Sequence, residues 1–393
     1  MPNITEWIVN EDDAELKDFQ RRLVDIFSGA RVNFLIGSGF SKPFLETLGD
    51  LEDIQTHLSR LSMEPADKLL LTGYLLWIYF CNCMYAMVDV QAEELVEQRR
   101  FANLMYALMN ERSTPVLSKQ INIFTTNYDP ILELVFDANR NIAYNDGFEG
   151  RINPYFSSSN FSKLIYRQAI FSNNKVEVPV VNILKMHGSL TWDRIPETDN
   201  IGYCDYREKL HRFYEENHKT FDQEIVDTMN YILDNKENKS IPELTEDLAK
   251  AALKSTAHGR MEDFLKNYTE QLQIVNPTKE KFDTTIMNIA YHELIRIFSN
   301  ELEKENSVLL VYGFSFKDEH ILEITKRSIV NPTLQIYIFC YDDISAEEMM
   351  RHFQVAKNHN IFLVRMENEE FQLNRLNDIL QSIIEDKGDY RAK

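Results

Sequence analysis

Cysteine, glycine, proline and positive charge are all scarce in this chain, and each shortage excludes something. Four cysteines, Cys81, Cys83, Cys204 and Cys340, stand among 393 residues, and they do not form the paired C-x-x-C arrangement of a structural zinc site. Cys81 and Cys83 lie in an apolar run and Cys340 in an apolar strand pattern, the settings of buried thiols. Such low cysteine use, with no signal peptide readable at the start, suits a reducing compartment, so a cytoplasmic location is expected. Twelve glycines and eleven prolines are few for this length; they argue for long helices and against an all-β sandwich full of tight turns. Lys and Arg number 42 against 62 Asp and Glu, a net charge of −20. That surface repels nucleic acid and anionic lipid. Basic pairs such as Arg99-Arg100 sit among acidic neighbours, so no direct nucleic-acid binding is expected, although an acidic chain remains suited to a basic protein partner. No G-x-x-x-x-G-K-[ST] sequence occurs, which argues against a P-loop ATPase.

What is present is a globular balance, 44% hydrophobic and 26% charged. The longest apolar run, residues 69–88 (LLLTGYLLWIYFCNCMYAMV), has spanning length and no charge. It also carries Thr72, Asn82 and three tyrosines, and no basic cluster flanks it. A buried or oligomer-interface helix is expected there, and no membrane span. Residues 5–29 read as an acidic amphipathic helix. Short β-rich runs follow within residues 31–44, 121–129, 179–190, 307–321, 334–343 and 361–366. Several are almost continuously apolar, as strands buried on both faces are, and helical patterns alternate with them. Residues 140–180 mix turn residues with short apolar pieces, and the tail is polar and helical. The expected fold is α/β: a Rossmann-like, doubly wound parallel sheet of about six strands in a single domain, 1–393, with large helical insertions at about 45–120 and 205–305.

In such sheets ligands bind beyond the carboxyl ends of the strands, near the point where strand order reverses. Four polar clusters stand at those ends. Gly37-Ser38-Gly39-Phe40-Ser41 fits either a backbone cradle for a pyrophosphate or a plain tight turn; Lys42 occupies the place of the third glycine of a dinucleotide fingerprint. Thr125-Thr126-Asn127-Tyr128-Asp129 offers Asn127 as donor and acceptor for a ribose hydroxyl or water, and Asp129 as a cap for the helix after Pro130. Met186-His187-Gly188-Ser189 places an imidazole where it can take a proton from a sugar hydroxyl or a water. Gly313-Phe314-Ser315-Phe316 is suited to an adenosine ribose or phosphate, and Asp318 either holds a hydroxyl or caps the next helix, with capping preferred.

Taken in order, these islands resemble the sirtuin family, whose pattern runs Gly-Ala-Gly-x-Ser, Thr-Gln-Asn-x-Asp, Leu-His-Gly, Gly-Thr-Ser. The likeness spans residues 31–345. The four-cysteine zinc ribbon of deacylating sirtuins is not readable here, the extension after the first loop is missing, and Thr126 replaces Gln. The pattern is more similar to the sirtuin-like domains of bacterial antiphage defence, and most similar to the sirtuin-like subunit that pairs with a HerA-type ATPase. That resemblance implies an NAD+ hydrolase cleaving the nicotinamide–ribose bond and depleting NAD on infection. It implies Asn127 and His187 as the catalytic pair. Gly37, Ser38, Gly39, Ser41, Thr126, Asp129, Gly313 and Ser315 would line the NAD site. NAD would be a substrate, with no zinc, and the partners a homo-oligomer and the ATPase. The alternatives are an NAD-dependent protein deacylase and a non-enzymatic NAD-sensing scaffold.

Overall fold

The computed structural model describes residues 4–10, 14–46, 51–110, 112, 117–139, 142–168, 170–198, 200–237, 239–272, 274, 285–354 and 359–391. The chain divides into two compact units. Met1–Ser41, Gln91–His187 and Ile289–Lys393 make the first; Lys42–Val90 and Gly188–Asn288 make the second. Of the two expected helical insertions, residues 45–90 and 205–288 fall in the second unit, while 91–120 and 289–305 fall in the first.

The first unit is built on eight strands: β1 (Ile4–Ile8), β2 (Arg31–Ile36), β3 (Gln120–Thr125), β4 (Ala143–Asn145), β5 (Val180–Lys185), β6 (Ser307–Tyr312), β7 (Gln335–Phe339) and β8 (Ile361–Arg365). They lie in the order β1-β8-β7-β6-β2-β3-β5-β4, and every neighbouring pair is parallel. This is the α/β fold expected from the alternation of buried runs and helices. All six residues of β5 and all six of β6 are buried, which is why they read as nearly continuous apolar runs. From β2 the chain builds outward through β3, β4 and β5, then returns to the other side of β2 with β6 and builds the opposite way. The order therefore reverses between β2 and β6.

Two edge strands account for the difference between about six strands and eight. Residues 5–8 belong to β1 and not to the amphipathic helix, which runs only over Ala14–Gly29. Ile4, Trp7 and Ile8 are β-branched or aromatic and favour a pleated surface, and Trp7 packs its ring 5.6 Å from that of Phe19 on the helix. Strand β4 is three residues long and sits among turns.

One polar feature crosses the apolar sheet. Asn33, Asn122, Asn182 and Asn145 are register partners on β2, β3, β5 and β4. Each amide passes a hydrogen bond to the next. Asn145 donates to Asn182 (3.0 Å), Asn182 to Asn122 (2.8 Å), Asn122 to Asn33 (2.9 Å), and Asn33 to the Ser307 hydroxyl (2.9 Å). Such a ladder is affordable inside a core only because every link has its partner.

In the second unit the apolar run becomes helix Pro65–Tyr79, continued by a wider turn over Phe80–Met84 and a tight one over Tyr85–Val88. Pro65–Val88 is long and apolar enough to cross a membrane, yet most of its most apolar window is buried inside the protein. Trp77 stacks on Phe221 with ring centroids 4.8 Å apart, and helices Gln223–Asp234, Ile241–Ala252 and Met261–Gln271 pack around it. The expectation of a buried helix accounts for the run.

Candidate functional site

The carboxyl ends of β6, β2, β3 and β5 carry the polar clusters. The sheet register sets their relative heights. Tyr312 pairs with Ile36, Ile36 with Thr125, and Thr125 with Lys185. Gly313 and Gly37 thus stand one residue beyond paired strand ends, and Asn127 and His187 two residues beyond. All of these lie in the first unit.

The loop after β2 is a short 3-10 turn over Ser38–Phe40. Phe40 anchors it: the ring lies 5.4 Å from that of Phe101, and the Phe40 carbonyl accepts a hydrogen bond from Gln98 Nε2 at 2.9 Å. Gly37 and Gly39 face the loop after β6 at backbone contact. Gly37 N–H donates to Tyr312 O and Gly39 N–H to Gly313 O, both at 3.0 Å. A Cβ on Gly37 would lie 2.3 Å from Gly313 O, and one on Gly39 2.6 Å from Gly313 Cα. The glycines are accounted for by this loop-to-loop packing. Phe40 N–H and Ser41 N–H are also engaged, by Gly37 O and Ser38 O. A pyrophosphate cradle made of these four amides would have to break existing bonds. Ser38 and Ser315 are exposed at the rim.

Asn127 is only 8% exposed. Its backbone N–H donates to Thr125 Oγ1 (3.0 Å), and that hydroxyl donates to Ile36 O (2.8 Å). Its side-chain Nδ2 donates to Gly37 O (2.9 Å) and to Ser41 Oγ (3.1 Å). A backbone carbonyl only accepts, so the nitrogen must face Gly37 and the amide orientation is fixed. The Oδ1 makes no hydrogen bond among the described residues, and it is an acceptor suited to a ligand hydroxyl or water. Ser41 in turn donates to Asp129 Oδ2 at 2.7 Å. The other Asp129 oxygen accepts Ile131 N–H at 3.1 Å, at the start of helix Ile131–Asp137. Asp129 thus serves the helix start, as its sequence position suggested, and closes the Asn127–Ser41 network as well. Thr126 is half-buried.

His187 is 17% exposed and its Nε2 stands 3.0 Å from Asp318 Oδ2, without an aligned hydrogen bond. Asp318 Oδ1 accepts His320 N–H (2.8 Å) and Ile321 N–H (3.0 Å), capping helix Glu319–Ser328. Capping was the expected role; the approach of the second oxygen to the imidazole is additional. Tyr291, from helix Thr285–Glu303, has its ring 6.2 Å from that of His187. Burial pushes its phenol up, and the Asp318 charge adds to this.

Beneath the Asn127 loop lies a group that the sequence did not single out. Lys185, the last residue of β5, is 1% exposed and forms a 3.0 Å ion pair with Glu133, itself 5% exposed. Its ammonium also donates to Asn127 O (3.2 Å) and to Asp129 O. Burial drives the Glu133 carboxyl up to about 7, against the opposing pull of Lys185. A lysine ending an apolar strand gives no local sign of an inward ammonium. Burial also raises the four thiols, Cys81 and Cys340 to about 12, which makes them poor nucleophiles. Among the described residues no group of three or more His, Cys, Asp or Glu is placed to hold a metal ion.

Residues 121–233 match the family model of the SIR2-like domain. The stretch takes in Asn127, Asp129, Lys185 and His187, covers less than half of the chain, and leaves out the loops at Gly37–Ser41 and Gly313–Asp318. No curated protein matches the chain.

Proposed function

We propose that the chain is an NAD+ glycohydrolase that cleaves the nicotinamide–ribose bond. The observation that carries this reading is positional. Asn127 and His187 stand level on adjacent parallel strands, two residues past the paired Thr125 and Lys185, beside the reversal of strand order and inside the stretch that matches the SIR2-like model. An acceptor amide and an imidazole 3.0 Å from a carboxylate, each two residues past the end of neighbouring strands, suit a sugar-centred reaction.

In the proposed chemistry a water attacks C1′ of the nicotinamide ribose. The C1′–N bond breaks and its electron pair returns to the pyridinium ring, so nicotinamide leaves neutral without a general acid. The transition state is oxocarbenium-like. Asn127 Oδ1 accepts a hydrogen bond from a ribose hydroxyl or from the water. His187 takes the proton released as the water adds. Asp318, 3.0 Å from the imidazole, orients it. The residues about the site, Ser38, Thr126 and Ser315 among them, contact NAD through side chains, since the amides of Gly37, Gly39, Phe40 and Ser41 are already engaged.

The biological setting proposed is cytoplasmic antiphage defence by NAD depletion, acting as a homo-oligomer together with a HerA-type ATPase. It is supported by the order of the Gly37, Asn127, His187 and Gly313 islands. The test is release of free nicotinamide from NAD, with and without such an ATPase. Asn127→Ala and His187→Ala should each abolish it while the variants stay folded. Release that requires an acylated lysine peptide would mean a deacylase, and NAD bound but unchanged would mean a scaffold.

A further inference from the structure

The buried Lys185 is not used in the chemistry just described, yet its position is specific. The ammonium has three donors; it donates to Asn127 O and Asp129 O and forms an ion pair with Glu133 Oε2 at 3.0 Å. Two of these are backbone carbonyls of the loop that bears Asn127. The third is a carboxylate on helix Ile131–Asp137, which begins where that loop ends. Lys185 also lies two residues before His187 on the same strand. One side chain therefore ties the strand of the imidazole to the backbone of the amide.

A buried ion pair is a poor device for stability alone, because desolvation of both charges offsets much of their attraction. Apolar residues could fill the same volume. They could not hold two carbonyl oxygens of an irregular loop, which need donors wherever water is excluded. From this we infer that Lys185, anchored by Glu133, is the positioning residue of the site: it fixes the Asn127–Asp129 backbone at the height at which Asn127 meets the group that His187 serves. The inference rests on the glycohydrolase reading for its consequence in catalysis, but the holding of the loop does not depend on it.

The experiment separates positioning from stability. Lys185→Met alone leaves Glu133 buried without its cation and should lower the melting temperature. Lys185→Met combined with Glu133→Gln removes both charges and should regain most of that loss. In the double variant the two carbonyls still lack their donor. Amide hydrogen exchange over residues 126–131 should therefore accelerate at least tenfold while exchange over β6 and β7 stays as in the wild type. Nicotinamide release should stay depressed on the order of a hundredfold, chiefly in kcat, the penalty expected for a displacement of about 1 Å. If exchange and kcat recover together with the melting temperature, the pair is merely structural and the inference falls. It falls equally if the double variant does not fold. If the wild type releases no nicotinamide, the glycohydrolase reading fails instead, and the exchange result still decides whether Lys185 holds the loop.

Discussion

Gly313→Ala is the sharpest probe of how the site is built. Gly313 has φ +64°, where a Cβ crowds its own backbone and costs about 1–2 kcal/mol. The added methyl would also lie 2.7 Å from Gly39 Cα and 2.9 Å from Gly39 N. Both neighbours are backbone, so no side chain can swing aside and the two loops must part. Parting them breaks the bond from Gly39 N–H to Gly313 O, worth about 1 kcal/mol. The sum is about 2–3 kcal/mol before any energy of overlap, or roughly 4–12 °C in melting temperature at about 2–4 °C per kcal/mol for a domain of this size. Activity should fall too, because the Gly37 carbonyl that orients Asn127 Nδ2 sits on the displaced loop. Gly29→Ala is the control: a Cβ there meets nothing within 4 Å, and the change in a helix is neutral or favourable. Thermal unfolding and nicotinamide release read both effects. A Gly313→Ala protein that melts within about 2 °C of the wild type and turns over NAD normally would refute the loop-packing account. A Gly39→Ala protein that keeps its stability but loses NAD binding would restore the pyrophosphate cradle.

Asp318→Asn retains an oxygen to cap helix Glu319–Ser328, so its melting temperature should hold, while nicotinamide release falls on the order of a hundredfold because the imidazole loses its carboxylate; equal turnover would remove Asp318 from the mechanism. Glu133 makes a pH-dependent contribution whose sign is set by its raised carboxyl. Burial raises this carboxyl against the pull of Lys185, so between 4.5 and about 7 the folded chain binds more protons at this group than the unfolded chain and stability declines with rising pH across that window. Glu133→Gln should lack this decline, and parallel unfolding curves for variant and wild type from pH 4.5 to pH 7 would contradict it. Asn182→Leu leaves the Asn122 Oδ1 and the Asn145 Nδ2 without their ladder partner and should cost about 1–3 kcal/mol in denaturant unfolding; a neutral result would mean that the ladder is not a continuous network.

The parts of this fold that the sequence disclosed are those whose surroundings are uniform. β5 and β6 are buried along their whole length, and a nearly continuous apolar run is the direct imprint of that environment. The edge strands left no such imprint. β1 is half-buried apart from the exposed Thr5 and runs on toward an acidic helix, so its few β-favouring residues blend into the helical pattern. The site divides in the same way. Asn127 and His187 announce themselves as polar groups at the ends of apolar strands. Lys185 does not, because its partners lie on a different strand-end loop and helix, and only folding brings them together. The glycines of the first loop were visible as a turn, but their reason, a second loop at backbone contact, comes from a segment far along the chain.

One element of the site's geometry was present in the sequence in a form that pattern-reading by apolar and polar class passes over. Val32-Asn33-Phe34, Ile121-Asn122-Ile123 and Val181-Asn182-Ile183 repeat the same arrangement, a single asparagine between apolar, strand-favouring residues. An isolated amide inside a buried strand must find a partner, and the cheapest partner is another amide at the same height on the neighbouring strand. Matching the three asparagines fixes the register of β2, β3 and β5, because a slip by one residue would leave several amide groups unpaired and turn each apolar set to the wrong face. That register then sets the site. Asn127 lies as far beyond Asn122 as His187 lies beyond Asn182, so the amides that pair in the middle of the sheet also set Asn127 and His187 the same number of residues past its end. The ladder and the site are thus one constraint: disturbing the pairing at Asn122 or Asn182 should disturb the relative height of Asn127 and His187 even though neither residue is touched.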